Sequence, residues 1–178
     1  DAAARTVALA RPCGYVVSPG GYGAPGHFRI ENVALAMDQP GEWVFNPDSG
    51  VLHLIPPAGV EDPNKVEVVT AGLPVLVSLN GEYKAGKWVQ GVRLVGLTFS
   101  HTGRNPKPEW GAYAACAVRF SGAVRDCRIE RCRFLDLGGG GVAMWKECVA
   151  NAVAGCEFAR FGENGVTIAD YLSDGPPV

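Results

Sequence analysis

The chain has 178 residues, 47% of them apolar and 19% charged, enough apolar side chain to bury a core. Its net charge of −2 excludes a broad attraction to nucleic acid or to an anionic membrane, and no apolar run reaches the roughly 18 residues of a membrane span. Glycine, at 24 residues, is nearly twice its usual share of about 7% and is joined by 13 prolines, a mixture that suits tight turns between short strands and excludes long helices.

Residues 1–64 read as a small antiparallel β-subdomain. Thr6–Ala10 and Phe28–Ile30 are strand candidates, and Glu42–Phe45 and Val51–Ile55 flank Asn46-Pro47-Asp48-Ser49-Gly50, a hairpin with strong turn chemistry. Pro56-Pro57 and Glu61–Asn64 form a joint to residues 65–178. There Val66–Val69 and Val75–Leu79 read as a first, irregular coil.

Beyond that point the sequence repeats. Cys132-Arg133-Phe134-Leu135-Asp136-Leu137-Gly138 is matched 24 positions later by Cys156-Glu157-Phe158-Ala159-Arg160-Phe161-Gly162. The same offset carries Gly141, Val142 and Met144 onto Gly165, Val166 and Ile168, and Val118 and Phe120 onto Val142 and Met144. An earlier coil, with Val92–Leu94 and Leu97–Phe99 as its first strand and Val118–Phe120 as its second, fits if 11 extra residues are placed in the loop Thr102–Cys116. Short alternating strands at this spacing predict an all-β fold, a right-handed parallel β-helix of 24-residue coils. Phe134 then lies over Phe158 and Cys132 over Cys156, Arg133 meets Glu157, Asp136 meets Arg160, and Asn164 opposite Gly140 marks a turn of positive φ. The six cysteines (Cys13, Cys116, Cys127, Cys132, Cys148, Cys156) follow the repeat rather than metal-ligand spacing, so they read as core filling; no metal or other cofactor is expected.

The run Glu31-Asn32-Val33, Asp38–Trp43 and Gly50–Leu52, followed by Gly96–Thr102 and the Cys-x-Phe-x-x-Leu-Gly segment, resembles a bacterial family of right-handed parallel β-helix repeat proteins in the pectate-lyase-like superfamily. The resemblance implies a secreted, periplasmic or cell-surface protein acting on polysaccharide or oligosaccharide, with glycoside hydrolases among its relatives. It also implies that further coils of a parent chain, the remaining partner expected, carry some or all of the catalytic carboxylates. The opening Asp-Ala-Ala-Ala and the closing Gly-Pro-Pro-Val read as cuts in such a chain, which leaves its targeting signal unread.

Candidate chemistry follows from the coil. The second strand has two outward columns, Arg119–Ala143–Thr167 and Ser121–Trp145–Ala169, where Arg119 and Trp145 could contact a sugar polymer. Trp110 and Tyr113 in the long loop add aromatic surface, or pin their own loop. Glu147 and Asp170, 23 positions apart, fall on neighbouring columns of adjacent coils and suit the paired carboxylates of glycoside hydrolysis. They also read as solvated turn residues, with Lys146 under Asp170. Glu163 and Asp174 are further carboxylates of the same kind, and His101, ahead of the long loop, is a candidate acid or base or a loop-bonding histidine. Three functions stay open: a glycoside hydrolase, a polysaccharide lyase of the same fold using Arg119, and a non-catalytic β-helix that binds glycans or supports an assembly.

Overall fold

The computed structural model describes residues 32–104 and 115–169. The strand candidates Thr6–Ala10 and Phe28–Ile30 lie outside them, as does Cys13. The chain divides into two compact units, Asp1–Val68 and Val69–Val178. Among the described residues no helix is long and apolar enough to cross a membrane.

In the first unit, β1 (Trp43–Asn46) and β2 (Val51–Leu54) form the expected antiparallel hairpin, with Trp43 opposite Leu54 and Asn46 opposite Val51. Asn46 makes the turn: its side-chain oxygen accepts from the amides of Asp48 (3.0 Å) and Ser49 (3.2 Å). Gly50 closes the turn in left-handed backbone, donating to the Asn46 carbonyl. Ahead of the hairpin the Glu42 carboxylate accepts from the Asp38 and Gln39 amides, and those two bonds lower its pKa. Val66–Val69 is not a strand. Val66 ends a 3-10 turn, Pro63–Lys65, that Asp62 caps, and Val68 and Val69 stand more than half exposed.

The second unit is all-β and parallel. Its first repeat supplies β3 (Val75–Asn80), β4 (Val89–Gln90), β5 (Arg93–Val95) and β6 (Thr98–Ser100). The next supplies β7 (Cys116–Ser121), β8 (Val124–Arg125), β9 (Arg128–Glu130) and β10 (Arg133–Leu137). The third supplies β11 (Gly140–Trp145), β12 (Cys148–Val149), β13 (Ala152–Ala154) and β14 (Glu157–Phe161), and β15 (Val166–Ala169) begins a fourth. Each repeat gives one strand to each of four parallel sheets, ordered β3-β7-β11-β15, β4-β8-β12, β5-β9-β13 and β6-β10-β14. Residues 92–99, read as one strand, therefore belong to two sheets, parted by a corner at Gly96.

The register is the 24-residue one: Phe134 pairs with Phe158 and Val142 with Val166. Across the extra residues before β7, Phe99 pairs with Phe134, as expected. One insertion escaped the sequence reading. Val77 pairs with Val118 but Val89 with Val124, so six additional residues lie between β3 and β4.

Stacking gives each apolar column a continuous core. The rings of Phe99, Phe134 and Phe158 lie face to face, with centroids 5.0 and 4.7 Å apart. Val118, Phe120, Val124, Ile129, Phe134 and Val142 are fully buried around them. The five described cysteines are thiols. Cys127 and Cys132 lie in the core with Cys148 and Cys156 packed against it, whereas Cys116 is buried outside that cluster. The column Phe120, Met144, Ile168 runs from 1% through 6% to 76% exposed, so the outer edge of β15 presents apolar surface.

Corners repeat as faithfully as strands. Left-handed backbone recurs at Gly91, Asp126 and Ala150, at Gly96, Arg131 and Gly155, and at His101, Asp136 and Arg160. The strain at non-glycine corners is offset by amides that donate to the next repeat, as His101 does to the Asp136 carbonyl and Arg131 to that of Ala154. Asn164 and Gly140 do not have positive φ. The glycines of that segment serve close approach instead. A Cβ on Gly139 would collide with the Ala115 carbonyl, and one on Gly141 with the Gly165 carbonyl and the Phe158 ring.

Both expected charge pairs form: Arg133 Nε lies 2.8 Å from Glu157, and Arg160 holds both carboxylate oxygens of Asp136, at 2.6 and 2.8 Å. Glu130 adds a third cluster, gripped by Arg93 (2.6 Å) and Arg128 (2.7 Å).

Candidate functional site

The sheet β3-β7-β11-β15 has the widest face that successive repeats build together. Its strands alternate, so Val118 and Phe120 point to the core while Arg119 and Ser121 point away from it. Pairing extends the outward columns to four residues each: Ser78–Arg119–Ala143–Thr167 and Asn80–Ser121–Trp145–Ala169. Ser78 and Asn80 were not identified in the sequence, because the six-residue insertion hides the alignment of β3 with β7. Arg119 reaches back over this face, its Nε and Nη2 donating to Ser78 Oγ at 3.4 and 3.3 Å. Ser78 in turn donates to Asn80 Oδ1 at 3.1 Å. Arg119 and Trp145 are thus brought together on one face, one repeat and one column apart, both half-buried. Ala143 beside them is only 2% exposed although it points away from the core.

Glu147 and His101 stand apart from this face. Glu147 is a corner residue between β11 and β12, with left-handed backbone (φ 47°); its carbonyl accepts from the Val124 amide. His101 sits at the corner after β6, exposed, in the column with Asp136 and Arg160, where its charge helps to hold the Asp136 pKa down after the larger effect of Arg160. Asp170, Trp110, Tyr113 and Asp174 lie outside the described residues.

Glu163 gains most from the structure. It lies in the turn entering β15, one 24-residue period beyond Gly139. Burial raises its carboxyl pKa and Arg104 partly opposes this. The same charge, with burial as the larger cause, helps push the Cys116 thiol up to about 11, against the opposing effect of Arg119. Cys116, at the start of β7, therefore feels the charges of both Arg119 and Glu163. A half-buried carboxyl that resists ionisation is suited to giving up a proton as a general acid. After β6, the Thr102 hydroxyl is buried without a hydrogen-bond partner among the described residues. Among those residues no three of His, Cys, Asp or Glu converge to hold a metal ion.

Comparison with protein-family models, with curated proteins and with solved structures gave no match.

Proposed function

We propose that the four-sheet stack is a right-handed parallel β-helix of the pectate-lyase-like kind, in a secreted carbohydrate-active protein, and that the β3-β7-β11-β15 face seats a polysaccharide or oligosaccharide for glycosidic hydrolysis. Parallel crossovers are right-handed in about 98% of cases, which supports the hand. The observation that carries the function is the pair of outward columns. Hydroxyl, amide, guanidinium and indole side chains stand in lines repeating at about 4.8 Å, at the spacing of successive repeats.

Hydrolysis by two carboxylates requires them within roughly 10 Å of each other. Glu163 precedes the strands and Glu147 follows them; six residues of β11 put about 20 Å between those ends. The reaction therefore uses one end, and the burial of Glu163 favours that end, with Glu163 as the acid and the carboxylate that activates water or attacks the sugar supplied by the further coils expected of a parent chain. Glu147 with Asp170 is the alternative site. A β-helix that binds glycan without cleaving it is the second reading, favoured by the corner placement of Glu147. A lyase of the same fold would take Arg119 as base, but its guanidinium is already directed to Ser78.

The test combines reducing-sugar release and affinity electrophoresis on a panel of plant and bacterial polysaccharides. Glu163→Gln should lower turnover at least about a hundredfold while leaving binding intact, and Trp145→Ala should weaken binding. Turnover that survives in Glu163→Gln but fails in Glu147→Gln or Asp170→Asn moves the chemistry to the other end. Binding without turnover selects the non-catalytic reading, and neither binding nor turnover sinks the proposal.

A further inference from the structure

We infer that the hairpin Gly81–Trp88 carries a second sugar-stacking subsite, built from Tyr83 and Trp88, which directs a glycan chain across the strands. This rests on the reading of the β3-β7-β11-β15 face as a glycan-binding surface and extends it by one subsite. Later repeats pass this corner with Gly122-Ala123 or Lys146-Glu147 alone, whereas the first repeat spends six more residues there. The insertion is ordered by its own bonds. Glu82 and Lys87 exchange backbone hydrogen bonds at 2.8 and 3.1 Å, and their side chains form an ion pair at 3.0 Å. Gly86 ends the 3-10 turn Tyr83–Ala85 in left-handed backbone, and Gly81 packs so closely under the Gly122 and Ala123 carbonyls that a Cβ would collide with them.

The aromatic pair is held equally firmly. Tyr83 meets Trp88 edge to face at 5.8 Å, and the Arg125 guanidinium lies over the indole at 5.0 Å. Gln90 Oε1 accepts from Arg125 Nε at 2.9 Å and fixes that arginine. Packing explains Trp88, which is half-buried, whereas Tyr83 rests on it by an edge alone and remains 55% exposed. An exposed phenol ring on a hairpin that also carries the Glu82–Lys87 ion pair offers an apolar face with hydrogen-bonding groups on the same hairpin. A pyranose, apolar on one face and hydroxylated at its rim, matches that chemistry.

The position fits one continuous ligand. The hairpin springs from Asn80, which heads the column Asn80–Ser121–Trp145. Two repeats, about 10 Å, separate its root from Trp145, a span comparable with a disaccharide, with Ser121 between. Tyr83, packed on Trp88 and through it on Arg125 of β8, stands at the corner where this face meets the β4-β8-β12 sheet, so a long chain on Trp145 would reach it only by extending past that corner.

Isothermal titration with cello-, xylo- and galacturono-oligosaccharides, from disaccharide to octasaccharide, tests this. Tyr83→Ala should weaken the long ligands roughly three- to tenfold and leave the short ones unchanged, whereas Trp145→Ala weakens both. Unchanged melting of Tyr83→Ala confirms that the hairpin has not collapsed, and Tyr83→Phe should bind nearly as the parent does. Equal affinity of parent and Tyr83→Ala for every length, with Trp145→Ala impaired, overturns the subsite and leaves the face. Absence of binding by the parent to every oligosaccharide overturns both.

Discussion

Phe134 offers the sharpest test of the idea that ring stacking between repeats holds the second unit together. It is fully buried between Phe99 and Phe158, at 5.0 and 4.7 Å, with the Phe158 ring nearly parallel to it. Phe120 is as deeply buried, but pairs with Leu79 and Met144 and has no ring above or below it. Changing either to Leu keeps an apolar side chain of similar size, so packing alone should cost each about 1–1.5 kcal/mol. Phe134→Leu also removes two aromatic contacts, each about 0.5–1.5 kcal/mol. It should therefore lose about 2–4.5 kcal/mol, against about 1–1.5 for Phe120→Leu. Urea unfolding of the two variants beside the parent, with unchanged m-values, measures the difference. Equal losses would show that burial alone matters and that the ring ladder adds nothing.

The Glu130 carboxylate is held down to a pKa of about 2 by hydrogen bonds from Arg93 and Arg128. A lowered folded pKa stabilises above the ordinary value of 4.5, and that stability drains away as pH falls from about 4.5 towards 2. Thermal melts across that range should show the decline in the parent and a flatter profile in Glu130→Gln; parallel profiles would refute it. Glu163 has the opposite sign: its raised pKa makes the folded state lose stability as pH rises from 4.5 through the raised value. Glu163→Gln should therefore melt higher than the parent at pH 7, and a lower melt would mean that the attraction of Arg104 outweighs burial. The apolar outer edge of β15 predicts self-association at high concentration, since fully burying an Ile is worth about 1.5–3 kcal/mol. Light scattering should find Ile168→Asp shifted towards monomer, and a parent that stays monodisperse at every concentration removes the premise.

How far the sequence could be read depended on insertions. From Cys116 onward no residue interrupts the 24-residue period, so the Phe134–Phe158 stack and the Arg133–Glu157 and Asp136–Arg160 pairs followed from spacing alone. Strands of two or three residues, such as β8 and β12, are too short to show a period and went unseen. Corners were hidden because Asp136, Lys146 and Arg160 adopt left-handed backbone that composition assigns to glycine. The glycines at 138–141 misled in the opposite direction, since a glycine kept for close approach looks identical to one kept for φ. Glu163 drew little notice because the arginine that acts on it, Arg104, precedes the residues inserted before β7, which hide their proximity.

The two interruptions of the period share a location. One lies between β3 and β4, the other between β6 and β7, at opposite ends of the strands of the β3-β7-β11-β15 sheet; the corners flanking β5 and β9 keep their lengths. A stack can lengthen at a corner without shifting the pairing of any strand, because the hydrogen bonds resume in register on the far side. Length variation is thus free to model the rims of one sheet while the other three are locked to a constant period. Corner segments at the rims of that sheet can thus be exchanged with no redesign of the core beneath.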